Sequence, residues 1–290
     1  MFVADKFLER INVKSYDAVR AEFKQAIGEI LHDFFADKPL FTNDTLSLYY
    51  YDEYALDTCI LARTNNVLYL EINQPQNIKK WVKKEKRHTY PELYYSLKSL
   101  KSDLFDFCLT QFDSNTLMWV DKFGVNFSIN IYDENDNVTN YNFAVVPCIT
   151  YENENDIEGI MYFNEDSKDL VIEYPKLAIE SFNNKNRTTL GLYKDYVVMF
   201  KNMLRLIKNE RSLPSEIYET ILYNVPDLFF ENFSLECIQR ILNYIRNSNL
   251  FNYKTLDDQD FAFVTAYRPM NIVYVKHIIK RLESYIKKIK

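Results

Sequence analysis

Apolar residues recur at helical spacing through the first 36 positions: Phe2, Phe7, Leu8 and Ile11, then Val19, Phe23, Ile27, Ile30, Leu31 and Phe34. This spacing predicts two helices, the second opening near Ser15. The pattern then shortens to the two-residue period of strands. Residues 45–51 (TLSLYYY) and 67–72 (VLYLEI) are dense in β-formers, with a short helical or irregular turn between them. Helical spacing returns over 76–112, opening on a charged run. Residues 125–132 and 141–148 alternate as a hairpin around the turn-forming tract DENDNVTN. Residues 152–158 read as an acidic loop, and 161–174 predict another pair of short strands. From Pro175 the pattern is helical, near 176–183, 189–208, 214–223, 234–247 and 270–289. Helices, then a mixed sheet, then helices only: this order predicts an α+β fold of two lobes, 1–175 and 176–290, flanking a cleft.

Composition sharpens the picture mainly by exclusion. With 47% hydrophobic and 26% charged residues, the chain builds a true core rather than remaining disordered. Only 4 of its 290 residues are Gly, and no Gly-rich phosphate loop of the Walker or Rossmann kind is present. The formal charge of -6 argues against a uniformly basic nucleic-acid coat and leaves room for a local basic face. Cys59, Cys108, Cys148 and Cys237 are widely spaced and form no CxxC pair, which argues against zinc and fits a reducing compartment. No signal-peptide core and no long apolar span are read in the sequence, so the expectation is a cytoplasmic protein without a membrane partner.

Several segments carry candidate chemistry. Residues 79–88 place Lys79, Lys80, Lys83, Lys84, Lys86, Arg87 and His88 around Trp81. Such a run can track a phosphate backbone while the indole stacks a base; it also fits a solvated helix with one apolar anchor. The terminal segment 276–290 (KHIIKRLESYIKKIK) is a basic amphipathic helix, suited to RNA, to an acidic partner or to packing on its own lobe. His32, His88 and His277 are scattered, His32 reading as a structural residue of an apolar helix. Cys148 after Pro147 reads as a small buried hydrophobe.

An ordered series of segments resembles the polymerase-β-type nucleotidyltransferases, in the branch of poly(A) polymerases and bacterial cyclic-oligonucleotide synthases. Residues 142–151 (NFAVVPCITY) resemble the third catalytic strand, where an Asp ordinarily precedes Val-Val-Pro. Gly159-Ile160, Tyr174-Pro175-Lys176 and 183–201 (NNKNRTTLGLYKDYVVMFK) follow in order, the last resembling the family's Lys-rich lead into a long helix. Residues 213–227 (LPSEIYETILYNVPD) are similar to the next helix. In the first half, 52–60 (DEYALDTCI) take the place of the Gly-Ser loop, and 66–72 that of the Asp-x-Asp strand.

The resemblance implies a nucleotidyltransferase-like mixed sheet followed by a helical lobe, and an active site in which two divalent metals bridge a triphosphate. Magnesium takes hard oxygen ligands, chiefly carboxylates. Here the carboxylate positions align with Asn66, Leu68 and Ala144, or with Asn65 and Val67 after a one-residue slip. The Gly-Ser positions hold Asp52 and Glu53, whose charges would repel a phosphate by about 4 kcal/mol at 4 Å in a surface-like dielectric. The resemblance therefore predicts a catalytically degenerate member, binding nucleotide, RNA or a protein partner without a cofactor. Phage defence or its inhibition is the setting it implies. Lys185, Lys194 and Lys201 match the family's triphosphate-facing cations. Two alternatives stay open. One is an active enzyme using magnesium on displaced acids, drawn from Asp52, Glu53, Asp57 and Glu71; the other is a structural subunit with an aromatic docking patch.

Overall fold

Strands form where β-branched and aromatic residues alternate, and the sheet is built around one long one. The computed structural model describes residues 16–36, 46–50, 56, 65–72, 91–112, 116–132, 138–153, 155–166, 168–206, 215–259, 262–263 and 272–289. Two compact units divide the chain: residues 13–54 with 61–175 form the first, and residues 176–290 with 1–12 and 55–60 form the second.

The first unit contains helix α1 (Tyr16–Ala36) and strands β1 (Leu46–Tyr50) and β2 (Asn65–Ile72), then helix α2 (Pro91–Gln111). Strands β3 (Thr116–Val120), β4 (Val125–Tyr132), β5 (Val138–Glu152), β6 (Glu158–Asn164) and β7 (Asp169–Glu173) complete it. The order across the sheet is β1-β2-β5-β4-β3, with β6 added to the far end of β5 and β7 to β6. All pairs are antiparallel except β2 and β5, which run parallel. β5 is 15 residues long because it serves three neighbours in turn: β4 and β2 along its first part, β6 along its last.

Sequence expectations differ from this arrangement at several points. The hairpin strand was expected over 141–148, and the structure extends it to both sides. The segment 116–120 carries no alternating pattern, because Leu117, Trp119 and Val120 are all exposed; it pairs as an edge strand nonetheless. The predicted helix over 76–112 is present from Pro91, its earlier part lying outside the described residues. His32, expected inside the apolar stripe of α1, is exposed and lies 3.5 Å from Asp33.

One sheet face packs on the helices. Phe23, Ile27 and Leu31 of α1 and Leu97, Leu100 and Leu104 of α2 cover Leu68, Leu70, Phe127, Phe143, Val145 and Ile149. Phe23 stacks on Phe143 with ring centroids 3.8 Å apart. Lys101 of α2 is buried, donating to the Asp121 carbonyl at 2.8 Å and pairing with Glu165 at 2.6 Å. That contact ties the helix to both hairpin turns.

The second unit holds α3 (Pro175–Thr188), α4 (Leu192–Leu206), α5 (Ser215–Tyr223), α6 (Leu235–Asn247) and α7 (Ile272–Ile289). α6 shows why these segments are helical: Ser234 caps its start by accepting from the Cys237 amide at 3.2 Å. Cys237, Ile238, Ile241, Leu242 and Ile245 then bury one face. α7 packs against α4 and α6, burying Val275, Ile278, Ile279, Leu282 and Ile286. The terminal basic helix thus keeps its apolar side within its own unit.

The turn between β3 and β4 leaves no room for a side chain at Gly124. A Cβ there would lie 2.2 Å from the Val145 carbonyl oxygen, a backbone atom that cannot swing aside. Gly124→Ala is expected to cost about 1–3 kcal/mol as β4 is pushed off β5. Urea denaturation of the variant against the parent checks this, and an unchanged midpoint would contradict the geometry.

Candidate nucleotide site

The parallel ladder decides which side chains share a face. Val67 lies opposite Ala144, Tyr69 opposite Val146 and Glu71 opposite Cys148. Residues directly opposite one another project to the same side, and successive residues to opposite sides. Asn66 and Leu68 therefore point with Leu70 and Ile72 toward α1 and α2. Both are buried there, and Asn66 donates to the Asn142 carbonyl at 2.8 Å. The other face carries Val67 and Ala144, each half-buried. Asn66 and Leu68, aligned in sequence with the family's carboxylates, thus lie on the opposite face from Ala144. Val67, which belongs to the slipped alignment, shares a face with Ala144.

What surrounds that point is neutral. Asn126 of β4 lies opposite Ala144, and Ser128 opposite Asn142. Val67 and Ala144 offer hydrocarbon, and the amides at most one neutral oxygen each. Four acids among the described residues occupy the same face further along, Glu71, Glu152, Glu158 and Glu173. Glu71 is buried and accepts from the Thr150 hydroxyl at 2.9 Å. Glu173 is buried and accepts from the Tyr69 hydroxyl at 2.8 Å and from that of Tyr162. Burial pushes the Tyr49 hydroxyl up strongly, with Cys148 and Glu71 adding to the shift. Cys148 is likewise raised, by burial and then by Glu71. Among the described residues no group of three or more His, Cys, Asp or Glu could hold a metal. A magnesium pair needs several converging anionic oxygens; the donors on these strands do not fit it. Asp52, Glu53 and Asp57 lie outside the described residues, as do Lys79, Lys80, Trp81, Lys83, Lys84, Lys86 and Arg87.

Lys185 and Lys201 of the helical unit have structural partners. Lys185 pairs with Asp227 at 2.6 Å, donates to the Val225 carbonyl and sits over the Phe230 ring. The Asp227 carboxyl ends below its ordinary range: partial burial raises it, and hydrogen bonds from Lys185 and Thr188 outweigh that. Lys201 pairs with Glu219 at 2.9 Å, their side chains only 2% and 3% exposed. Its ammonium faces into the unit instead of toward a triphosphate. Lys194 is half-buried, its amide donating to Asn186 Oδ1 at 3.1 Å. The polar residues of the 183–201 run thus close the α3–α4 junction. Thr189 donates to the Lys185 carbonyl and accepts from the Tyr193 amide, and the Tyr193 hydroxyl donates to the Glu219 carbonyl. Gly191, at φ 90, completes the turn.

With this geometry in place, relatives can be weighed. The cGAS/DncV-like nucleotidyltransferase C-terminal helical domain matches residues 180–287. A cyclic nucleotide synthase, CdnE01 of Staphylococcus haemolyticus, is 28% identical over 232 residues, covering 74% of this chain and 70% of that one. The cyclic UMP-AMP synthase of Rhodothermus marinus is 30% identical over 131 residues, 41% of this chain and 46% of that one. The solved structure of a Rhodothermus marinus CdnE c-UMP-AMP synthase with Apcpp and Upnpp superimposes with a TM-score of 0.67. It is 20% identical, with 91% of this chain and 89% of that chain covered.

The helical segment 180–287 thus matches the cGAS/DncV-like nucleotidyltransferase C-terminal domain, and the chain is similar to cyclic nucleotide synthases over most of its length. Its α+β architecture is the nucleotidyltransferase fold. Among the described residues, no helix is long and apolar enough to cross a membrane. The strand positions around Val67 and Ala144 are neutral.

Two measurements test the structural reading of the lysines. Lys201→Met leaves Glu219 buried without its cation and is expected to cost about 3–5 kcal/mol in chemical denaturation. Replacing both partners, as Lys201→Met with Glu219→Leu, should recover most of that loss. Lys185→Met is expected to destabilise at neutral pH, with the difference from wild type closing in strong acid. A carboxylate with a depressed native pKa adds stability above its unfolded value and loses it as pH falls through the native one. A difference that persists in strong acid would contradict the Lys185–Asp227 account.

Proposed function

We propose that this chain is a nucleotide-binding protein of the cyclic-oligonucleotide synthase branch, working in the cytoplasm in phage defence or its control. The supporting observation is the joint likeness of both units, the sheet and the helical segment 180–287, to synthases whose activity is cyclic nucleotide formation.

Two uses of the bound nucleotide each have an observation behind them. Kinship to cyclic nucleotide synthases favours nucleotidyl transfer by this chain, making a nucleotide product. Its magnesium ligands would then have to include Asp52, Glu53 or Asp57 of the segment between β1 and β2. Glu71 would first have to release Thr150. The neutral face around Val67 and Ala144 favours binding without transfer, as a sensor or as a regulatory partner of an active relative. Of the three lysines matching the family's cations, Lys185 and Lys201 are committed to carboxylates and Lys194 is half-buried on α4.

The deciding experiment incubates the protein with the four nucleoside triphosphates and magnesium or manganese, following pyrophosphate release and product by mass spectrometry. Binding of the same triphosphates is measured alongside by calorimetry. If this chain carries out transfer, pyrophosphate appears and is lost in Asp52→Asn with Glu53→Gln. If it binds only, heat of binding appears without pyrophosphate under any metal. Absence of both would overturn the nucleotide reading itself.

A further inference from the structure

The edge of the sheet beside Ala144 carries an arrangement that the resemblance to a metal-dependent transferase does not explain. Among the described residues β3 pairs only with β4, Trp119 lying opposite Asn126 and Leu117 opposite Ser128. Met118, between them, packs on the helical side with Phe127. Leu117 and Trp119 therefore share the face of Asn126, Ala144 and Val67. Leu117 is 67% exposed and Trp119 40%. A bare apolar edge strand is a liability that folded proteins ordinarily blunt with charge; here an indole is left in solvent instead.

What lies next to that indole is a row of amides and a hydroxyl. From β4 come Asn126, Ser128 and Asn130; from β5 come Asn140 and Asn142, facing them in register. Asn140 donates to Ser128 Oγ at 2.7 Å and to Asn130 Oδ1 at 2.9 Å, which holds the outer part of the row in a defined orientation. The row runs from exposed Asn130 and Asn140, through half-buried Ser128 and Asn142, to buried Asn126. Neighbouring strands are about 4.8 Å apart, so the Trp119 indole adjoins Asn126 and Ser128 of β4, with Asn142 one strand further on. No charged side chain belongs to this row. Ala144 and Val67 provide a small, uncharged floor where a metal-dependent relative needs carboxylates.

An exposed indole beside fixed donors and acceptors suits one chemistry above others, a nucleobase stacked on the ring with its polar edge read by amides. A phosphate would find no cation in the row, and a divalent metal would find no anion. We propose that the β3–β4–β5 face is a nucleobase platform, with Trp119 as the stacking surface and Asn126, Ser128 and Asn142 as its polar readers, and that a free nucleotide binds there without a metal. The proposal deepens the nucleotide-binding reading and rests on it. It places recognition on the base, where a two-metal site would place it on the triphosphate.

The test uses the full chain with Trp81→Phe, which leaves Trp119 as its one tryptophan of the original 2. Trp119 fluorescence is titrated with AMP, UMP and inorganic triphosphate in the presence of EDTA, with calorimetry in parallel. The expected result is saturable quenching by a nucleotide and none by triphosphate. Trp119→Ala, followed by calorimetry, should weaken binding by roughly 10-fold or more, the usual scale for a base-stacking aromatic. Trp119→Phe should weaken it less. Asn142→Leu, which leaves the indole in place, should also weaken it. Melting temperatures establish that each variant is folded, and Asn142→Leu and Trp119→Phe carry the test should Trp119→Ala fail to fold. Nucleotide binding by the parent that is unchanged in these variants, or that triphosphate competes for fully, overturns the platform alone and leaves nucleotide binding standing. The exposed edge would then be a protein contact. No binding of any nucleotide by the parent overturns both.

Discussion

Where β2 meets β5 sets the terms for the rest of the first unit. The two strands run parallel with Val67 against Ala144, and side chains alternate about that pair with a period of two. Shifting the pairing by one residue would send Leu68, Leu70, Phe143 and Val145 away from α1 and α2, exchanging a buried apolar set for a polar one. The register is therefore held by the whole helix-facing core, with Phe23 stacked on Phe143 at its centre. Its consequence on the other face is chemical. The positions that converge there are hydrocarbon and amide near the β3 edge, and tyrosine-bound carboxylates further along, where Tyr69 and Tyr162 hold Glu173.

That second face explains how a nucleotidyltransferase fold can be preserved with a different local chemistry. Fold and site are separable: the sheet and the helical unit are maintained by apolar burial, and the chemistry by a few positions on one surface. The helical unit illustrates the same separation. Lys185, Thr189 and Tyr193 lie in the segment that most resembles the family, and each is engaged in closing the α3–α4 junction or in anchoring it to residues 219–230. Lys201 and Glu219 form a pair inside the unit, where a lone charge would be costly. A motif of this kind records how the lobe folds at least as much as what it binds.

The elements were legible where periodicity was strong. The α1 stripe, the β4–β5 hairpin and the five helices after Pro175 follow from spacing alone. β3 was not legible, because exposure of Leu117, Trp119 and Val120 removes the alternation by which strands are read. The length of β5 was hidden in the polar tract before Tyr141, whose Asn residues read as turn formers until β4 is seen pairing with them. At the site, the face that each strand position takes was not visible in the sequence. Asn66 and Leu68 look like the family pair in sequence, and only the ladder to Asn142–Val145 turns them toward the helices. Burial of Lys201 was equally invisible, since its partner Glu219 is on another helix and nothing local marks the pair. The one signal that could have found the neutral row was the alternation of Asn126, Ser128 and Asn130 on a strand, a polar face where solvent exposure is incomplete.

The central claim is that nucleotide is held on the β3–β4–β5 face. Photo-crosslinking with an azido-substituted adenine nucleotide, followed by peptide mapping, tests it most directly. The account predicts adducts on peptides spanning Thr116–Tyr132 or Val138–Glu152, formed equally with and without magnesium and suppressed by excess unmodified nucleotide. Adducts confined to the α3–α4 segment, or formed only when magnesium is present, would contradict it.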